Sequence, residues 1–155
     1  MDTRLKKWIR WLAVIHDDVQ QLLVNQNIFW EVQEIIKNNK RVHKPSSFYQ
    51  YLGDTYISHV TVGIRRQLKI DQTSISFARL LTEIAKHPSS LNRIYYKNLF
   101  KGSVVEDLAD KQFDKYSEKG AHISASMVQN DLAQLKSVSA KIEDFVDKRV
   151  AHRDK

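Results

Sequence analysis

An all-α fold, a bundle of about five or six helices, follows from three observations. Apolar residues recur at three- and four-residue spacing through most of the 155 residues; no segment sustains the alternation of a strand, and no Asn-Gly or Asp-Gly hairpin turn occurs. Only four Gly and two Pro interrupt the chain. With 42% apolar and 28% charged residues, it has the composition of one folded domain spanning 1–155 rather than of a disordered segment.

The first helix is marked by Leu5, Trp8, Leu12, Ile15, Val19 and Leu22, one narrow seam. A second stripe, Ile28, Phe29, Val32, Ile35 and Ile36, follows the polar Asn25-Gln26-Asn27, so a helical unit reaching about Asn38 is expected to bend or break near Asn27. His43-Lys44-Pro45-Ser46-Ser47 reads as a turn whose serines can cap the next helix. That helix has two apolar faces: Ile57, Val60, Ile64 and Leu68 form one, and Tyr49, Leu52, Tyr56 and His59 form an aromatic flank. Its expected place is therefore central, with His59 a satisfied core histidine and Trp8, Trp11 and Trp30 packing residues.

Asp71-Gln72-Thr73-Ser74 is a polar break. Phe77, Leu80, Leu81 and Ile84 then mark a helix that stops before Pro88. Residues 91–100 give a short helix, 104–116 another, and 117–125, containing Gly120, a loop. The last strong helix is expected over Asp131 to His152, with Leu135, Val138, Ile142 and Phe145 as its apolar stripe.

Lys and Arg outnumber Asp and Glu by 25 to 18, a net charge of +7 that favours polyanionic partners. Absence of Cys removes disulfides, thiolate nucleophiles and sulfur-ligated zinc. The apolar run from Trp8 to Ile15 is interrupted by Arg10, is too short to cross a bilayer and lacks a cleavage pattern; an untargeted, cytoplasmic protein that does not engage a membrane is the expectation. His16, His43, His59, His87, His122 and His152 are scattered, with no two at helical metal-ligand spacing. There is no phosphate-binding glycine loop, nucleophile elbow or Glu-x-x-His pair, so neither metal nor other cofactor is expected.

The closing stretch DKRVAHRDK, Asp147 to Lys155, carries the one chemical signal. Continuing the last helix's stripe by four and three residues lands on Arg149 and His152, so a burial stripe ends in a guanidinium and an imidazole on one face. Such an Arg must reach the rim, meet a carboxylate such as Asp147 or Asp154, or face a second subunit, because burying it unpaired costs several kcal/mol. Lys148 and Arg153 flank the pair; Arg65 and Arg66 with Lys69 form another basic cluster at a helix end. Each cluster also suits the negative pole of a helix dipole with no further role.

The phrase RVAHRDK resembles the signature of the HEPN superfamily, all-α bundles of bacterial toxins and antiphage systems in which four to six residues separate an Arg from a following His. The segment IRRQLKIDQTSISFARLLTEI, Ile64 to Ile84, is similar to a segment of that superfamily's abortive-infection branch: a helix ending in basic residues and Asp, a Ser-rich cap, then a Leu-Leu helix. In this sequence the family's Arg would fall at Phe145, Val146 or Asp147, none of which is basic. His152 and Asp147 carry over by position; Arg149 stands in for the Arg on the strength of its shared face with His152.

The resemblance implies metal-independent RNA cleavage at a site shared across a two-fold homodimer, with His152 as acid or base, Arg149 as phosphate clamp and Asp147 orienting the His or pairing the Arg. Lys148, Arg153, Arg65 and Arg66 would hold RNA. A second expectation is a non-catalytic RNA- or partner-binding component of a defence or toxin–antitoxin system, its partner an antitoxin or defence protein. A third is a structural bundle without a ligand. A HEPN-like bundle would be expected to begin another helix after HRDK, so a chain continuing beyond Lys155 is also an expectation.

Overall fold

Six α-helices and one 3-10 turn make up the computed structural model, which describes residues 2–146, with side chains through Ile142. The helices are α1 (Thr3–Asn38), α2 (Ser47–Leu68), α3 (Phe77–Lys86), α4 (Arg93–Leu99), α5 (Glu106–Ser117) and α6 (Ala125–Val146); the 3-10 turn Pro88–Ser90 follows α3. The all-α bundle expected from the spacing is what forms. Among the described residues the only ladder-type pairing is an isolated bridge between Asn92 and His122, and no helix is long and apolar enough to cross a membrane.

α1 is one unbroken helix, about 54 Å long at 1.5 Å per residue. The expected break near Asn27 does not occur. Amide side chains there make bonds compatible with the helix: Gln21 Nε2 donates to Asn25 Oδ1 one turn on at 3.1 Å, and Asn25 Nδ2 lies 2.7 Å from His59 Nε2 on α2. Asp2 caps the start, its carboxylate accepting from Arg4 N at 2.9 Å.

The two halves of α1 have different surroundings. Leu5, Trp8, Trp11 and Ile15 are buried and join Leu80 of α3 in the main core, with Ile75, Ile84, Leu91 and Tyr95 packed around it. Beyond Ile15 no α1 residue is fully buried; the distal half lies against α2 to form a two-helix arm, with Leu22 and Leu23 also sharing a cavity with Phe77 and Leu135. Phe29 and Tyr56 stack across the arm with ring centroids 4.0 Å apart. At Gly63 of α2 a Cβ would sit 2.5 Å from Leu22 Cδ2 of α1. Gly63→Val is expected to push the Leu22 side chain out of its place between the helices and cost about 1 kcal/mol, read as a lowered thermal midpoint.

α2 is not the central element expected. Its only buried residues are Thr61 and Gln67, while Phe48, Tyr51 and Val62 stand 61%, 67% and 67% exposed. His59 is exposed rather than a core residue, and Trp30 is 57% exposed, unlike the buried Trp8 and Trp11. Apolar spacing specifies a stripe but not what covers it.

α3 is anchored at both ends. Ser76, wholly buried, caps it by accepting from Arg79 N at 3.1 Å while its hydroxyl donates to Lys69 O. At the far end Glu83 accepts from Lys7 Nζ at 2.5 Å and Trp8 Nε1 at 3.0 Å, tying α3 to α1. Burial pushes the Glu83 carboxyl up, but the bonds from Lys7 and Trp8 and the charges of Lys7 and Arg79 outweigh it, leaving the group below its usual 4.5. A lowered folded value means stability that is present above about pH 4.5 and lost as pH falls through it. Glu83→Gln is therefore expected to lower the thermal midpoint at pH 7, with the difference from wild type shrinking below about pH 4.

A second, smaller unit forms where α4 meets α5. Arg93 sends its guanidinium to Asp110 Oδ1 at 3.2 Å, Asp114 Oδ1 at 2.6 Å and Gly120 O at 2.9 Å, while its own backbone N donates to Ala121 O at 2.9 Å. Ala109 and Phe113 are buried beneath it, with Tyr96 5.3 Å from the Phe113 ring. Nothing in the sequence singled out Arg93, because its partners lie 17 to 27 residues away.

Candidate nucleic-acid interface

The segment from Ile64 to Ile84 folds into a braced corner. α2 ends in Arg65 and Arg66, and Gln67, 6% exposed, donates to Asp18 Oδ2 at 2.8 Å and accepts from Phe77 N at 3.1 Å, linking α1, α2 and the start of α3. Asp71 then gathers its turn: Ser74 Oγ donates to it at 2.6 Å, Thr73 Oγ1 at 2.7 Å, and the backbone N–H groups of both at 3.0 Å or less. These bonds, the Ser74 hydroxyl foremost, hold its carboxyl far below the usual carboxylate range. A polar run that reads as a loop is thus a rigid connection delivering Leu80 and Leu81 into the core.

Arg65 and Arg66 differ in surroundings. Arg66 pairs with Asp18 of α1 while its side chain stays 55% exposed, so part of its charge is spent on holding α2 to α1. Arg65 is half-buried. The pair makes a basic shoulder at the root of the arm.

α6 leads toward the terminal motif. Ser124 caps it, Oγ accepting from Met127 N at 3.4 Å, and the buried or half-buried positions Val128, Leu132, Leu135, Ser139 and Ile142 alternate four and three apart. Val138, expected on the stripe, is 57% exposed and Ser139 takes the half-buried position, while Leu135 and Ile142 lie on the inward face as expected. α6 starts at Ala125, earlier than expected.

α3 and α6 run antiparallel. Ile123, just before α6, donates its N–H to Leu91 O just after α3 at 3.0 Å, whereas Leu135 lies beside Phe77, the first residue of α3, in one cavity. That cavity, about 330 Å³, is walled by Leu22 and Leu23 of α1 and Val60 and Ile64 of α2 as well as Phe77 and Leu135. Past Leu135, α6 therefore heads toward the arm.

Asp147, Lys148, Arg149, His152 and Arg153 lie outside the described residues, immediately after the last described turn of α6. Among the described residues no group of three or more His, Asp or Glu is placed to hold a metal ion. Gln67 and Arg93 are polar residues the sequence did not flag; each has partners distant in sequence and each serves the architecture. No protein-family model, no curated protein and no solved structure matches this chain.

Proposed function

We propose that this chain is a HEPN-like, RNA-binding protein of the antiphage or toxin type that cleaves RNA without a metal, Arg149 and His152 being the cleavage pair. One observation supports the reading: α3, the helix of the Ile64–Ile84 block, lies along α6, the helix that RVAHRDK follows in sequence.

The chemistry suits these side chains. An imidazole that titrates near neutrality can take a proton from a ribose 2′-hydroxyl or give one to the leaving 5′-oxygen, and a guanidinium can hold the phosphate bidentately as charge develops on it. Attack by the 2′-oxygen on the adjacent phosphorus, with departure of the 5′-oxygen, leaves a 2′,3′-cyclic phosphate and a 5′-hydroxyl. Asp147, two residues before Arg149 and five before His152, is the carboxylate assigned to orient the His or pair the Arg. The net charge of +7, the exposed Arg66 and the basic residues around His152 supply phosphate contacts.

Fluorescence anisotropy with a labelled single-stranded RNA tests the binding half. Affinity is expected to fall linearly with salt on logarithmic axes, as counterions are reclaimed by the RNA. An affinity too weak to measure at 50 mM salt, or one indifferent to salt, would contradict it. Salt-dependent binding without cleavage would support the non-catalytic alternative, a component that holds RNA or a partner protein for another enzyme.

A further inference from the structure

The far end of the arm, where residues 39–46 connect α1 to α2, carries charge of one sign. Between Ile35 and Gly53 stand Lys37, Lys40, Arg41 and Lys44, and no Asp or Glu. Lys37 reaches back to Glu34 at 3.3 Å. Lys40, Arg41 and Lys44 are exposed, and none of them pairs with a carboxylate among the described residues. Cations gathered without a counterpart attract an anion.

The turn that bears them is held by its own hydrogen bonds. The Asn39 carbonyl accepts from Val42 N at 3.0 Å and His43 N at 2.9 Å, and Asn39 Oδ1 accepts from Arg41 N at 3.0 Å. Tyr49 of α2 donates its hydroxyl to Val42 O at 2.8 Å, and its ring meets Phe48 edge-on with centroids 5.8 Å apart. Tyr49 thereby ties the cationic turn to the Phe48 ring. Phe48 and Tyr51, three residues apart on α2, share a face and stand 61% and 67% exposed. Two aromatic rings in water beside three unpaired cations do nothing for the core.

We infer that the arm tip holds single-stranded nucleic acid, its phosphates on Lys40, Arg41 and Lys44 and its bases stacked on Phe48 and Tyr51. An unpaired strand offers what this surface lacks: a row of negative charges, and flat apolar faces beside them that are free to stack. A lipid surface asks for the reverse order, with apolar side chains leading into it and cations behind at the level of the headgroups. Here Lys40, Arg41 and Lys44 lead, and the rings lie behind them on the flank of α2. The tip uses no residue of the closing stretch and reads no 2′-hydroxyl, so it stands apart from the cleavage pair. A chain that binds here and never cuts RNA keeps this inference alone; one that cuts RNA with an idle tip keeps only the other.

Fluorescence anisotropy of a labelled oligothymidylate of about 12 nucleotides, with the full chain, provides the test. This probe has no 2′-hydroxyl and stays intact whatever Arg149 and His152 do. Affinity is expected to fall with salt, and the combined Lys40→Gln, Arg41→Gln, Lys44→Gln variant to show a logarithmic slope shallower by about 2, since each phosphate contact on a single strand contributes about 0.7. Phe48→Ala and Tyr51→Ala are each expected to bind about tenfold more weakly, with unchanged helical circular dichroism. Phe48→Trp is expected to bind as well as wild type and Phe48→Leu as poorly as Phe48→Ala, because stacking needs a ring rather than bulk. A wild type that ignores the probe, a triple variant with the wild-type slope, or Phe48→Leu at full affinity would overturn the inference. Co-sedimentation with phosphatidylglycerol vesicles, lost in Phe48→Ala while the probe stays unbound, would overturn it in favour of a membrane.

Discussion

Replacing Trp8 by Ala is expected to lower stability by about 3–5 kcal/mol, the usual loss for truncating a buried aromatic side chain. Trp8 is 3% exposed, sits with Leu5, Trp11, Ile15 and Leu80 in the main core, and its indole N–H donates to Glu83. The substitution opens a cavity and removes one of the two donors that hold Glu83 at the end of α3. For a domain with a total of roughly 5–15 kcal/mol, that is a large share, and the thermal midpoint is expected to fall by roughly 10 °C or more. Trp8→Phe keeps most of the packing and loses the hydrogen bond, so a loss of about 1–2 kcal/mol is expected. Trp30→Ala provides the contrast: at 57% exposure it is expected to cost under about 1 kcal/mol. Urea titrations of the three variants check the ordering.

His152→Ala is expected to lower RNA cleavage by about 10²–10⁴-fold, the usual contribution of a positioned general acid or base. RNA affinity is expected to change little, because a neutral imidazole neutralises no phosphate. Under the proposed function Arg149→Ala is expected to lose both, the guanidinium being the proposed phosphate clamp. Single-turnover cleavage beside anisotropy binding separates the two roles. Arg149→Lys keeps the charge without the bidentate fork and is expected to retain binding better than cleavage.

Much of the architecture was legible in the spacing of apolar residues, for local reasons. Pro88 ends α3, serines open α2 and α3, and three-four spacing marks α1, α2, α3 and α6. Where the sequence misled, the cause lies beyond the helix itself. Asn25-Gln26-Asn27 looks like a break, yet Asn25 finds partners in Gln21 and His59, so the polar triplet stays helical. The two apolar faces of α2 suggested a central helix, but its open face, with Phe48, Tyr51 and Val62, is covered by nothing else among the described residues.

The candidate site divides in the same way. The basic end of α2 and the capped start of α3 were readable as a motif, whereas the bridging of Gln67 between Asp18 and Phe77 depends on contacts 49 and 10 residues away. The inward turn of Ser139 in place of Val138 shows the limit of extrapolating a stripe: the small serine fits the packed face, and the larger valine stays outside.

The most direct measurement is cleavage of a defined single-stranded RNA by purified full-length chain in excess EDTA, with the ends of the products identified by mass spectrometry, beside His152→Ala prepared identically. The account predicts 2′,3′-cyclic phosphate and 5′-hydroxyl ends from the wild type and their loss from the variant. Intact RNA with the wild type, 3′-hydroxyl ends, or equal cleavage by both proteins would contradict it.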